Sequence, residues 1–199
     1  MVVLITGGSS GIGKAIGQYL AKKGCTVYGT ARKPENYEPF TDFVLLPLDV
    51  TVPESIQKAI ALILKKENRI DVLINNAGVG ITGPIEETPE DEIRKVFDVN
   101  FLGPIRMAKA VLPQMRTQGN GLIINVTSIA GHMGLPFRGV YSATKGALAL
   151  ATEAMRMETK GFGVQVTNVA PGDFATDIAS RRYHTPINED SPYKTPYKK

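Results

Sequence analysis

The chain has 199 residues and 21.5 kDa, 43% of them apolar and 21% charged, which suits one soluble globular domain with a substantial core and excludes a low-complexity chain. Its net charge of +4 makes no nucleic-acid footprint, because residues 180–199 set five bases (Arg181, Arg182, Lys194, Lys198, Lys199) against Glu189 and Asp190, leaving +3 in the tail and +1 in the body. A single cysteine, Cys25, excludes an internal disulfide, and two histidines, His132 and His184, offer no metal-ligand spacing.

No apolar run reaches the ~20 residues of a membrane span. The first strand-like run begins at Val2 and leaves no room for a cleavable leader. The expectation is a cytoplasmic protein without metal, membrane or nucleic-acid partners.

The predicted elements alternate. "VVLIT" (2–6) reads as a strand, and "TGGSSGIG" (Thr6 to Gly13) follows it directly, opening the helix "GIGKAIGQYLAKK". Glycines at 7, 11 and 13 let the backbone turn and approach a pyrophosphate, while the helix start offers free N–H groups. The strand, loop and helix context predicts a dinucleotide cradle from Gly7, Ser9, Ser10, Gly11, Ile12 and Gly13.

A second strand, "CTVYGT" (25–30), is followed by Ala31, Arg32 and Lys33 where an NAD site would carry an acid. An arginine fork there suits a 2′-phosphate, with Ser9 or Ser10 adding a hydroxyl, so NADP is preferred to NAD. A third strand, "DFVLLPLDV" (42–50), ends in Asp49 and Val50, placed beside the adenine, and Pro53 suits a first helical position. "DVLINNAG" (71–78) is the fourth strand. The loop "GVGITGPIEET" after it either borders the pocket or simply connects elements. Thr88, with Pro89 and Asp91, reads as an N-cap with a capping-box partner.

"GLIINVTS" (121–128) is a fifth strand ending in Ser128, and "GVQVTNVAPG" (163–172) a sixth. These near-continuous apolar runs mean strands covered on both faces, hence a three-layer doubly wound parallel sheet, the Rossmann fold, with its ligand crevice at the strand carboxyl ends.

Between the last two strands lies "YSATK". Tyr141 and Lys145 are spaced i, i+4 and share one helical face. A tyrosine titrates near ~10, and lowering that by ~3 units takes ~4 kcal/mol, which an ammonium ~4 Å away at an effective dielectric of ~20 supplies. Ser128 at a strand end can polarise a carbonyl in the same crevice. Singly, each has a bland reading: a rim tyrosine, a snorkelling lysine, a turn-capping serine. His132, in "GHMGLPFRG", reads as a substrate contact or a loop histidine without a role.

In order and separation, "TGGSSGIG", "NNAG" (Asn75 to Gly78), "DVNFLGP" with Asn100, Ser128, "YSATK" and "PGDFAT" (Pro171 to Thr176) resemble the short-chain dehydrogenase/reductase family, over residues 1 to about 180. The resemblance implies Tyr141 as acid/base, Ser128 on the substrate oxygen, Lys145 on the nicotinamide ribose and Asn100 anchoring a water. It also implies Asn76, Ala77 and Gly78 on the adenine-ribose side, and Pro171, Gly172 and Thr176 at the nicotinamide. A homodimer, or a larger assembly containing one, is implied through the fourth and fifth helices, roughly 101–117 and 140–160.

Family members usually continue several dozen residues beyond the "PG" motif, into a lid, a last helix and a seventh strand. Here about 27 residues follow Gly172, in a basic, proline-containing tail with no strand pattern. The expected organisation is a dinucleotide-binding domain at 1–179 and a shortened lid region at 180–199. The function expected is NADP-dependent hydride transfer on a carbonyl or secondary alcohol. Alternatives are a non-catalytic dinucleotide-binding protein or impaired fragment, and an epimerase or dehydratase.

Overall fold

The structure, a computed structural model, describes residues 1–172 and 182–197. Strand β1 (Val2–Ile5) leads into helix α1 (Gly11–Lys22), then β2 (Thr26–Ala31), β3 (Val44–Pro47), α2 (Pro53–Glu67), β4 (Val72–Asn75) and the two-residue β5 (Ile81–Thr82). Helices α3 (Glu90–Phe97) and α4 (Gly103–Gln118) precede β6 (Gly121–Val126), and α5 (Gly139–Thr159) precedes β7 (Val164–Val169). A short β8 (Tyr183–His184) and α6 (Lys194–Tyr197) complete the described chain.

Six strands form one parallel sheet in the order β3-β2-β1-β4-β6-β7. The order reverses between β1 and β4, so the loops leaving those two strands part and open the crevice of a doubly wound sheet. Side chains alternate across it. Leu4, Leu73 and Ile123 face a cluster with Ile56, Ile63, Met107, Val111 and Met115 of α2 and α4, while Val3, Ile5, Val72 and Ile74 face Ile16 and Leu20 of α1. That double cover explains the continuous apolar runs of the central strands. The edges differ: Val44 of β3 and Gln165 and Val169 of β7 are exposed, since an edge strand has less to pack against.

A buried polar chain crosses the sheet. Asn75 Nδ2 donates to Asn125 Oδ1 at 2.8 Å, and Asn125 Nδ2 donates to Thr152 Oγ1 at 2.8 Å. It fixes the register of α5 against β6, the two elements that carry the predicted catalytic groups.

Two sequence expectations are corrected. Thr88 does not cap α3: its hydroxyl donates to the Pro84 carbonyl at 2.6 Å and lies 3.0 Å from Thr185 Oγ1, and the cap position falls to Pro89. The hydroxyl closes the 84–88 turn, where the Thr88 N–H also bonds the Pro84 carbonyl, instead of opening the helix. The main sheet has six strands and no seventh among the described residues, as expected, but the tail does hold a two-residue strand outside it, since Tyr183 and His184 pair with Ile81 and Thr82, too short a pairing for alternation to signal. From there the tail lies along the 82–88 segment, with Ser191 donating to Glu87, Tyr193 to Glu86, and Tyr197 to the Thr82 carbonyl.

Candidate active site

One cleft of about 1390 Å³ runs across the carboxyl ends of the strands. It exceeds the ~300–1,000 Å³ of an ordinary small-ligand site, as a dinucleotide plus a substrate requires. Of the expected residues, Gly7, Ser9, Ser10, Gly11, Ile12, Arg32, Asp49, Val50, Asn76, Ala77, Gly78, Ser128, Tyr141, Lys145, Pro171 and Gly172 line it. Gly13 and Asn100 stand behind the wall, and Thr176 lies outside the described residues.

The cradle is built by close approach. Gly7 has φ +66°, and a Cβ there would lie 3.0 Å from Ala77 Cα; a Cβ on Gly13 would lie 2.4 Å from both Asn76 Nδ2 and the Gly7 carbonyl. Gly13 therefore lets the helix start pack directly on the loop. Asn76 Nδ2 donates to the Thr6 and Gly7 carbonyls at 3.0 Å each, so its amide holds the glycine loop. Thr6 Oγ1, buried, accepts the Asn76 and Ala77 N–H groups at 3.0 Å. Sequence reasoning missed Thr6. A threonine closing a strand reads as ordinary β propensity, and only the fold brings residues 6 and 76 together.

At the β2 end, Arg32 and Lys33 are exposed side chains in the cleft wall. Asp49 Oδ1 is engaged by the Thr51 N–H and hydroxyl at 2.9 and 2.7 Å, which fixes the turn after β3. Acid is present at the third strand and absent at the second.

At the other end, Ser128 follows β6 and caps a short 3-10 turn, its Oγ accepting the Ala130 N–H at 3.2 Å. That bond uses a lone pair and leaves the hydroxyl proton free to donate into the cleft. The capping and catalytic readings of Ser128 are therefore compatible. Lys145 is no snorkelling surface lysine. It is buried, its Nζ donates to the Val126 carbonyl at 2.9 Å, and it lies 5.9 Å from the centre of the Tyr141 ring. Burial pulls its pKa down to about 8, because desolvation disfavours the ammonium.

Asn100 sits, fully buried, in a π-helical turn over Asp98–Leu102. Pro104, four residues on, has no N–H for the Asn100 carbonyl, so the α-helical pattern breaks there. The side chain clamps Val79 from both sides, Oδ1 accepting its N–H at 2.9 Å and Nδ2 donating to its carbonyl at 2.9 Å, with a further bond to Thr144 Oγ1 at 3.2 Å. Asn100 thus positions the loop after β4, directly above Lys145.

Arg138 and Arg182 also line the Tyr141 end and were not expected there. His132 is exposed and not part of the wall. Val79, Gly80 and Ile81 of the loop after β4 do border the cleft. Among the described residues no His, Cys, Asp or Glu cluster is placed to hold a metal, and no helix is long and apolar enough to cross a membrane.

Comparison with known proteins agrees with this geometry. The family described as short chain dehydrogenase matches residues 1–186. The chain is 45% identical over 181 residues to a 3-ketodihydrosphingosine reductase of Bacteroides thetaiotaomicron, covering 91% of this chain and 66% of that relative. Among solved structures, ElxO with NADP bound matches with a TM-score of 0.82 at 32% identity, over 90% of this chain and 76% of that one. The 3-ketoacyl-(acyl-carrier-protein) reductase of Brucella melitensis complexed with NADH matches with a TM-score of 0.86 at 26% identity, over 91% and 79%. With cradle, serine, tyrosine and lysine in order around one crevice, the chain belongs to the short-chain dehydrogenase family.

Proposed function

We propose that the protein is an NADP-dependent oxidoreductase that interconverts a carbonyl and a secondary alcohol, with Tyr141 as acid/base. The observation that carries this reading is the single cleft joining Arg32 at one end to Ser128, Tyr141 and Lys145 at the other. When bound, the dinucleotide supplies or accepts the hydride. The Ser128 hydroxyl, its oxygen already fixed by Ala130, donates to the substrate oxygen. Tyr141 delivers the proton to that oxygen in reduction and takes it back in oxidation. Lys145 favours the phenolate by its charge, held in place by the Val126 carbonyl.

Arg32 is the reason to prefer NADP over NAD, since a guanidinium at the end of β2 pairs a 2′-phosphate and no acid accepts a 2′-hydroxyl. The proposed organisation is a dinucleotide-binding domain over 1–179, with 180–199 belonging to the substrate side, in a cytoplasmic homodimer. The test is NADPH fluorescence on titration, followed by NADPH oxidation against a panel of ketones. Saturable NADPH binding with turnover of a ketone supports the reading. Binding without turnover of any carbonyl favours a dinucleotide-binding protein that is not an enzyme.

A further inference from the structure

We propose that Phe137 is a positioning residue for the proposed active site, held by a clasp of Tyr193 and Tyr197 that sets the first turn of α5, and with it Tyr141, against the 79–83 wall of the cleft. The effect on turnover rests on the oxidoreductase reading, while the clasp itself rests on backbone and ring contacts alone.

Among the described residues only Asn68 and Phe137 combine a side chain with a positive φ, 55° and 60°. Asn68 ends α2, an ordinary place for a left-handed asparagine. An aromatic residue in that conformation is strained, and it persists only where its surroundings over-determine it. They do so here from two sides. The Phe137 carbonyl accepts the Gly83 N–H at 2.8 Å. Its ring meets Tyr197 edge-on, with centroids 5.2 Å apart at 66°, and Tyr193 at 6.5 Å and 83°, an arrangement that aromatic pairs favour.

The two tyrosines come from a sequence repeat, "SPYK" followed by "TPYK" over 191–198. The repeat sets them four residues apart, and Tyr197 N donates to the Tyr193 carbonyl at 2.9 Å, so one helical turn presents both rings to Phe137. Their hydroxyls are pinned to the segment after β5: Tyr193 donates to Glu86 at 2.6 Å, and Tyr197 to the Thr82 carbonyl at 3.1 Å. The clasp therefore closes three distant stretches, 82–86, 137 and 193–197, into one unit.

That unit abuts the reacting groups. Phe137 stands two residues before α5, whose first residue, Gly139, lies so close to Ile85 that a Cβ there would meet its Cδ1 at 2.6 Å. The Arg138 carbonyl accepts the Ser142 N–H at 2.9 Å and begins the helical ladder that carries Tyr141. Lys145, one turn on, is fastened independently to the Val126 carbonyl. Releasing Phe137 thus loosens Tyr141 and leaves Lys145 in place, and the glycine cradle at the start of α1 lies outside the clasp.

The experiment measures amide hydrogen exchange by NMR in the full chain as wild type, Phe137→Ala, Phe137→Gly, Tyr197→Phe and the double variant Tyr193→Leu with Tyr197→Leu, then kcat with a ketone and NADPH affinity by fluorescence. Phe137→Ala and the double variant should each speed exchange at Gly83 and Ser142 by ~10- to 100-fold, the loss of two aromatic pairs, with exchange at Leu73 and Ile123 of the central sheet unchanged. Tyr197→Phe keeps both rings and should retain most of the protection. Phe137→Gly should exchange more slowly than Phe137→Ala, because glycine takes the left-handed turn without strain, the reverse of the usual ranking of these two residues. Turnover should fall in the same order, with NADPH affinity unchanged. Unaltered exchange at Gly83 and Ser142 in Phe137→Ala, an equal rise there and in the central sheet, or better protection in Phe137→Ala than in Phe137→Gly overturns the proposal. A local rise in exchange with kcat unaltered overturns the positioning role. A local rise in a chain that turns over no ketone retains the clasp and overturns the oxidoreductase reading.

Discussion

The ammonium of Lys145 donates to the main-chain carbonyl of Val126 at 2.9 Å, fastening the start of α5 to the end of β6. The same helix face carries Tyr141 and the same strand leads to Ser128, so this bond sets the spacing of the proposed catalytic groups. Its position is buried, and burial lowers the lysine pKa from 10.5 to about 8.

That shift predicts how stability depends on pH. Below about 8 the lysine is protonated in both states, and the folded state bears the full desolvation cost, about 3 kcal/mol at ~1.4 kcal/mol per unit. Between about 8 and 10.5 the unfolded chain holds the proton longer than the folded one, so the cost fades as pH rises. Urea unfolding of the cofactor-free protein and of Lys145→Met should show the wild type gaining on the variant by up to that amount from pH 7.5 to 10.5. A constant difference across the range would show that the ammonium is solvated. Catalytically, Lys145→Met should lose both turnover and cofactor affinity.

Tyr141→Phe should lower turnover by at least ~100-fold with nearly unchanged NADPH affinity, because it deletes the proton and little else. Steady-state rates with fluorescence titration of NADPH decide it. Turnover within a few-fold of wild type would remove Tyr141 from the mechanism.

Asn100→Ala should cost ~2 to 4 kcal/mol, since it leaves the N–H and carbonyl of Val79 without their partners behind the cleft wall. Asn100→Asp tests the donors separately. It keeps an acceptor for the Val79 N–H and turns an oxygen toward the Val79 carbonyl, so it should be no milder than the alanine. Denaturant unfolding with unchanged slope would read the effect as stability. A loss of activity with no loss of stability would point instead to a direct part in proton transfer.

Much of this architecture was legible in the residues, and most of the exceptions share a cause. Tyr141 and Lys145 are four apart on one helix, and Gly7 to Gly13 form one loop, so local spacing carries their geometry. Thr6 beneath Asn76, Asn125 against Thr152, and Arg182 over Gly80 are separated by 70, 27 and about 100 positions, and no local pattern announces a contact closed by the sheet. Thr88 failed as a cap for a local reason, its hydroxyl being taken by the Pro84 carbonyl four residues back, and only its place beside Thr185 comes from the fold. Asn100 was half legible. Its place in "DVNFLGP" marks it for the site, but that it grips both backbone groups of Val79 follows only from the fold.

The expected homodimer has a surface to suit it. On α5, Leu150 and Met157 are 70% and 73% exposed and stand seven residues, two turns, apart on one face. Light scattering at micromolar concentration should give a dimer, and Leu150→Asp with Met157→Asp should shift it toward monomer. A monomeric wild type would assign that apolar face to some other cover.

Cofactor choice is expected to turn on Arg32. Arg32 stands in the wall where β2 ends, the buried Ala31 before it offers no carboxylate, and Asp49 already has an oxygen engaged by Thr51. NADPH should therefore bind more tightly than NADH, and Arg32→Ala should weaken NADPH by ~1.5 to 3 kcal/mol with little effect on NADH. Ala31→Asp should push the preference toward NADH, since it adds an acceptor for the 2′-hydroxyl and repels the phosphate. Because Arg32 is exposed, the contact is screened, and raising salt from 0.05 to 0.5 M, a range spanning Debye lengths of roughly 14 to 4 Å, should weaken NADPH more than NADH. Equal affinities for the two cofactors at low salt would make Arg32 a solvated loop charge and return the choice of dinucleotide to the rest of the cradle.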